Sequence, residues 1–212
     1  CYSFCTKYKS ILVEQDKNFD SYNDSSNWTI LTSIEKSIKT KIQSVSVKLE
    51  DINVKINYGI KTGANEVFII DENLRNKLIS KDPRNDEIIR PIIRGRDVKR
   101  FGYNNPNLYM ICTFPYYNID IDKYPSLKKY LLSFGIERLE QTGKKHIIDG
   151  KEIKARKKTT NKWFETQDCI NYADDFYKPK IIYPETTQHA NFVFDKNGIF
   201  IDKTCFMMLT DY

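Results

Sequence analysis

Apolar residues fall into short, separable patterns along this chain. Ile30, Leu31, Ile34, Ile38 and Ile42 recur at helical spacing, and Thr32 with Glu35 supplies the S/T-x-x-E pattern of a capping box. The spacing predicts a helix over residues 33–43. Ile52, Val54, Ile56 and Tyr58 then alternate with polar residues, the period-two signal of a half-buried strand that runs into Gly59 and Gly63. Residues 67–70 predict the next strand. The intervening GIKTGANE reads as a turn whose two glycines can take positive φ and bring the backbone close to a ligand or to another segment. Asp71 is placed to cap a short helix through Ile79, and the DPRN at 82–85 ends it.

Ile88, Ile89, Ile92 and Ile93 form a short apolar face that Pro91 keeps from being a long helix interior, and Gly95 turns the chain. Residues 108–114 read as a buried strand. Pro125 opens a helix with Leu127, Tyr130, Leu131, Phe134 and Leu139 along one side. Residues 142–161 show no periodicity and read as a loop. Beyond them, Trp163 and Phe164 open a strand-like patch and residues 180–183 an inner strand. NFVFDKNGIFID reads as a hairpin turning on Asn197 and Gly198. Helices segregated among mostly antiparallel strand pairs predict an α+β fold.

Residues 1–27 are rich in Asp, Asn and Ser, lack periodicity and read as a linker from a neighbour upstream, so the domain is expected to span 28–212. The apolar CFMML run just before Tyr212 predicts that it continues further. At 212 residues, one globular unit with a short appendage is expected. No apolar run approaches the roughly 20 residues of a membrane span, and no secretory signal is visible, so a soluble protein without a membrane partner is expected. The five cysteines are odd in number and scattered, without a C-x-x-C pair. That argues against a disulfide framework or a structural zinc and points to a reducing cytoplasm.

Catalytic signatures are sparse. There is no Walker loop, G-x-G-x-x-G, G-x-S-x-G or H-E-x-x-H, and His146 and His189 have no partner at metal-ligand spacing. Neither catalytic nor metal-ligating residues are therefore assigned. Glu152-Ile153-Lys154 spells E-x-K beside Asp149, the constellation of a small magnesium-dependent nuclease, but a chain this rich in Glu and Lys produces such a triplet by chance. Asn105-Pro106-Asn107-Leu108 lacks the second Pro and the aromatic of an adenine-holding loop and reads as a turn.

Charge changes the picture more. The formal net charge is +6, and its positions are uneven. Arg94, Arg96, Lys99 and Arg100 surround one turn, and Arg90 precedes them in the same basic cluster. The 144–162 segment adds Lys154, Arg156, Lys157, Lys158 and Lys162, and the segment after Tyr183 supplies Thr186, Thr187, Gln188, His189 and Asn191. With Lys61 and Thr62 in the glycine turn and Lys178 before an inner strand, these offer phosphate-neutralising cations beside amides able to read base edges, as double-stranded DNA would require. A solvated basic surface, or a protein-interaction domain meeting an acidic partner, is the competing reading. Arginine is not what AT-rich codon usage alone supplies, and the Arg90–Arg100 cluster favours DNA.

The order W-x-I-L-x-S-x-E-x-x-I from Trp28, then GIKTGANEVFIID, IIRPIIRGRDVKRF, a YPSLKKYL helix, KWFE and KPKIIYPE resembles the TaqI-like specificity domain. That domain occurs at the carboxyl end of adenine-specific DNA methyltransferases and of type IIG restriction-modification enzymes. The resemblance implies a DNA target recognition domain, catalytically silent alone, in a phage-defence protein. Its upstream methyltransferase domain would bind S-adenosylmethionine, and magnesium would enter only if the parent also carried a nuclease. Gly59, Thr62, Gly63, Arg94, Gly95 and Asp97 match the family's recurrent positions, where a scaffold role is implied more than base reading.

Overall fold

The computed structural model describes residues 31–210, which divide into two compact units, one ending at Ile52 and one beginning at Asn53. The expected linker over 1–27 and the domain start at Trp28 lie outside the described residues. In the first unit, α1 (Ser33–Val45) starts as the capping box predicts: the Glu35 N–H donates to Thr32 Oγ1 at 3.3 Å, and the Thr32 N–H donates back to Glu35 Oε2 at 2.8 Å.

The second unit runs β1 (Val54–Tyr58), α2 (Asn65–Phe68), β2 (Ile69–Asp71), α3 (Glu72–Lys81), β3 (Ile89–Ile93), β4 (Val98–Lys99), β5 (Gly102–Tyr103), β6 (Leu108–Ile111), α4 (Pro125–Leu132) and α5 (Ile136–Leu139). It continues through β7 (Lys145–Ile148), β8 (Lys151–Lys154), β9 (Lys180–Pro184), β10 (Val193–Asp195), β11 (Phe200–Ile201) and β12 (Cys205–Thr210). Two four-stranded sheets carry the unit. One is antiparallel throughout, in the order β1-β12-β9-β10. The other has the order β11-β3-β6-β2, antiparallel except where β11 lies parallel to β3. The fold is α+β with mostly antiparallel sheets and flanking helices.

Alternation along β6 shows how the layers form. Met110, with Cys112 just beyond the strand, enters a core shared with Ile92 and Ile93 of β3 and with Ile182, Met207 and Leu209 of the first sheet. Ile111 points the other way, with Ile89, into a core shared with Leu78 of α3, Leu127 and Leu131 of α4 and Leu139 of α5. The second sheet is therefore covered on both faces, and Phe176 and Phe200 stack at 4.6 Å within the inter-sheet core. No helix among the described residues is long and apolar enough to cross a membrane.

Four local expectations are corrected. The strand at 67–70 is split, because Thr62 Oγ1 accepts the Ala64 N–H and bonds Asn65, nucleating α2 before β2 begins. Residues 142–161 contain the β7–β8 hairpin, whose turn places Asp149 and Gly150 at φ 49° and 74°, the positive values a tight I′-type turn requires. Trp163 and Phe164 lie outside any strand, their carbonyls held by Arg156 and by Thr113. Asn197 and Gly198 do not close a hairpin: β10 joins the first sheet and β11 the second. The crossing is fixed by Asp195, whose carboxylate accepts the Asn197 and Ile199 N–H groups and the buried Lys180 ammonium at 2.6 Å.

Candidate nucleic-acid interface

Sequence-distant segments meet at the end of β3. Strand β11 lies against β3, the chain turns at 202–204, and β12 returns along β9, so the loops following β3, β9 and β11 emerge side by side. Gly95 sits tightly against Thr204: its N–H donates to Thr204 Oγ1 at 2.7 Å, and a Cβ there would fall 2.7 Å from the Thr204 carbonyl oxygen. Thr204 is itself set by Asp202, whose Oδ1 accepts both its N–H and its hydroxyl. The Thr204 carbonyl in turn accepts the Glu185 N–H, fixing the start of the loop after β9.

The result is an open cleft of about 740 Å³ lined by Arg94, Arg96, Lys99, Glu185 to His189 and Asn191, with Asp202 and Thr204 also in its wall. A second hollow of about 600 Å³ is bounded by Arg100 together with Gln188, His189 and Asn191. Eight of the residues that the sequence singled out thus converge on one surface, and Arg100 adjoins it.

Their side chains are not equivalent. Arg94 is spent on its own turn: Nε and Nη2 donate to the two oxygens of Asp97 at 3.0 and 3.3 Å, and its N–H donates to the same carboxylate. Lys99 Nζ donates to the Arg96 carbonyl at 3.0 Å, and Arg100 lies 5.2 Å from the centre of the Phe101 ring. Arg96 is exposed, and its guanidinium makes no hydrogen bond to another described residue. Arg90, from the same basic stretch, is turned inward to the carbonyls of Asp86 and Glu87 and the Tyr177 hydroxyl.

Two expected contacts are overturned by burial. Arg156 is only 2% exposed, and its guanidinium donates to the carbonyls of Leu139, Thr62, Glu165 and Trp163. Desolvation, with Arg138 nearby, pulls its pKa down to about 10. It is a clamp joining four segments, not a surface cation. Thr62 is fully buried, with its hydroxyl bonded to Asn65 and the Ala64 N–H.

The remaining cations sit outside the cleft. Lys61 and Lys157 act on Asp168, whose carboxyl burial pushes up while the two lysines pull it down. Lys162 lies 3.4 Å from Asn118 Oδ1 and 3.9 Å from Glu165. Lys154 is exposed on the β7–β8 hairpin, opposite Lys145 in the register, and Lys158 is exposed further along. Lys178 faces Asp175 at 2.8 Å in a separate hollow with Lys55.

Sequence reasoning missed Asp202, Thr204 and Glu185. An Asp-x-Thr turn was legible at 202–204, but nothing in the sequence placed it beneath Gly95, more than a hundred residues upstream. The nuclease constellation gains no geometry: Asp149 occupies the hairpin turn, and Glu152 is paired with Lys145 at 2.9 Å. Among the described residues no three His, Cys, Asp or Glu side chains converge so as to hold a metal ion.

No family model matches the chain. Over 177 residues, covering 82% of the chain, it is 24% identical to the type II methyltransferase M.BstVI of Geobacillus stearothermophilus. The chain spans 28% of the length of that relative. The similarity is to one part of a type II methyltransferase. Among solved structures, the type IIL restriction-modification enzyme MmeI in complex with DNA aligns over 74% of this chain and 19% of its own, with 12% identity and a TM-score of 0.41.

Proposed function

We propose that this chain is a sequence-specific recognition domain for double-stranded DNA, serving a separate catalytic domain of a restriction-modification protein or adenine N6 methyltransferase. The observation that carries this reading is the cleft itself, where the exposed cations Arg96 and Lys99 face the amide-bearing loop 185–191 across one concavity. A duplex presents phosphates and base edges together, and few ligands would use both classes of side chain on one open surface. The similarity to part of a type II methyltransferase favours the same reading.

On this view the domain orients DNA and performs no chemistry. The methyl group would come from S-adenosylmethionine held by the separate domain, and none of the cleft residues is assigned to that cofactor. The parent would be a bacterial cytoplasmic enzyme of the type IIG kind, with or without a nuclease.

Fluorescence anisotropy with labelled duplexes tests the reading. Binding should weaken as salt rises, with a log-log slope of about −0.9 per phosphate neutralised, and Arg96→Ala or Lys99→Ala should each remove roughly one such unit. Absence of duplex binding at low salt, on DNA pools covering all short sequences, would overturn it.

A further inference from the structure

The cleft and its neighbouring hollow share Gln188, His189 and Asn191. These residues form a ridge between two depressions, with Arg96 and Lys99 in the wall of one and Arg100 in the wall of the other. A duplex groove has the complementary profile, base edges along its floor and a phosphate strand on either side. The ridge is the part of the surface placed to reach the floor.

Within the ridge, hydrogen bonding separates scaffold from free recognition groups. Thr187 Oγ1 donates to the His189 carbonyl at 2.8 Å and accepts the His189 N–H and the Asn191 side-chain amide, both at 3.3 Å. Thr187 is thereby spent on shaping the loop, and Asn191 is half-buried with its donor engaged. The amide of Gln188 and the imidazole of His189 are exposed and make no hydrogen bond to another described residue. An imidazole carries its two nitrogens on opposite edges of the ring and cannot present both to one base. A carboxamide presents donor and acceptor side by side, the pattern that matches adenine N6 and N7 in the major groove.

We infer that Gln188 is a specificity-determining residue that reads an adenine of the target duplex through a bidentate amide contact, with Thr187 positioning the loop and Arg96, Lys99 and Arg100 holding the flanking phosphates. This rests on the DNA-recognition reading above, which it narrows to a residue and a base.

The test is selection of bound duplexes from a randomised pool by the 212-residue chain, followed by sequencing, for the unmodified protein and for Gln188→Ala and Gln188→Glu. The unmodified chain should enrich a motif containing an A·T pair. Gln188→Ala should lower the preference at that one position by about tenfold or more while leaving the salt slope and melting temperature unchanged. Gln188→Glu should move the preference at the same position toward cytosine, whose N4 donates to a carboxylate. A motif that survives unaltered in Gln188→Ala overturns the assignment but leaves duplex recognition standing, and so does duplex binding without any enriched motif. No enrichment together with no anisotropy change at low salt overturns the recognition reading itself.

Discussion

Gly95 and Thr204 are held in a contact that admits no side chain on the glycine. The threonine hydroxyl accepts the glycine N–H at 2.7 Å, and the threonine carbonyl stands where a Cβ would need to go. Gly95→Ala should therefore push the β3 turn off the 202–204 loop, costing about 1–3 kcal/mol in the way overpacked cores do. Thr204→Val keeps the shape but leaves the Gly95 N–H without its acceptor, a loss of about 1 kcal/mol or more. Urea denaturation of both variants checks this. An unchanged midpoint in Gly95→Ala would mean that the contact is slack.

Arg94 and Arg96 are two residues apart and should behave oppositely. The first is clamped bidentately by Asp97, and the second is free of hydrogen bonds to described residues. Asp97→Ala and Arg94→Ala should each lower thermal stability and blur the cleft. Arg96→Ala should leave melting unchanged, weaken DNA binding and lower its salt slope. Melting curves and anisotropy on the same three variants separate the roles.

Arg156 gives a large expected stability loss. Removing its guanidinium takes a donor from four carbonyls and strands those of Leu139, Thr62 and Trp163, since Glu165 keeps the Gln141 amide at 3.1 Å. Arg156→Ala should destabilise the domain by roughly 3 kcal/mol or more, and Arg156→Lys should recover little, since a single ammonium cannot span the fork. Chemical denaturation measures both; a surface role would leave them near the parent.

Lys180 and Asp195 form an ion pair with both side chains fully inaccessible. Burial pulls the lysine down from its ordinary value against the pull of Asp195. Breaking the pair from one side should cost about 3–5 kcal/mol, because an uncompensated charge stays buried. The double variant Lys180→Met, Asp195→Leu should recover only part of that, as the Asn197 and Ile199 N–H groups also lose their acceptor. A double-mutant cycle provides the coupling.

Acid should loosen the strut made by Asp175 with Lys55 and Lys178. Burial raises this carboxyl, but hydrogen bonds from Lys178 and Lys55 outweigh it and hold the group below its ordinary range. A depressed carboxylate contributes stability that is present above its unfolded value near 3.9 and is lost as pH falls through the lower folded value. Asp175→Asn should therefore be less stable than the parent at pH 7, with the gap closing below about pH 4. Denaturation midpoints at several pH values give the comparison, and a gap independent of pH would show that the charge is immaterial.

What the sequence determined by itself is local. The Thr32–Glu35 box and the Asp71 cap involve residues within a few positions of each other, so their chemistry is complete in the string; the alternation of Val54, Ile56 and Tyr58 gave the strand but not its expected half-buried face, since Ile56 and Tyr58 are exposed. The cleft was half legible in the same way, because Arg94 to Arg100 and Thr186 to Asn191 announce themselves by composition. Only tertiary structure could decide that these two segments meet, since the meeting depends on β11 lying parallel to β3 and on Thr204 seating against Gly95. Nor could composition separate Arg156 from Lys157: of these adjacent cations one is enclosed by four carbonyls and the other is exposed, which depends on the distant backbone segments that fold around the first. Burial is a property of the whole packed chain, and it is burial that sorts the charges here into struts, clamps and exposed groups.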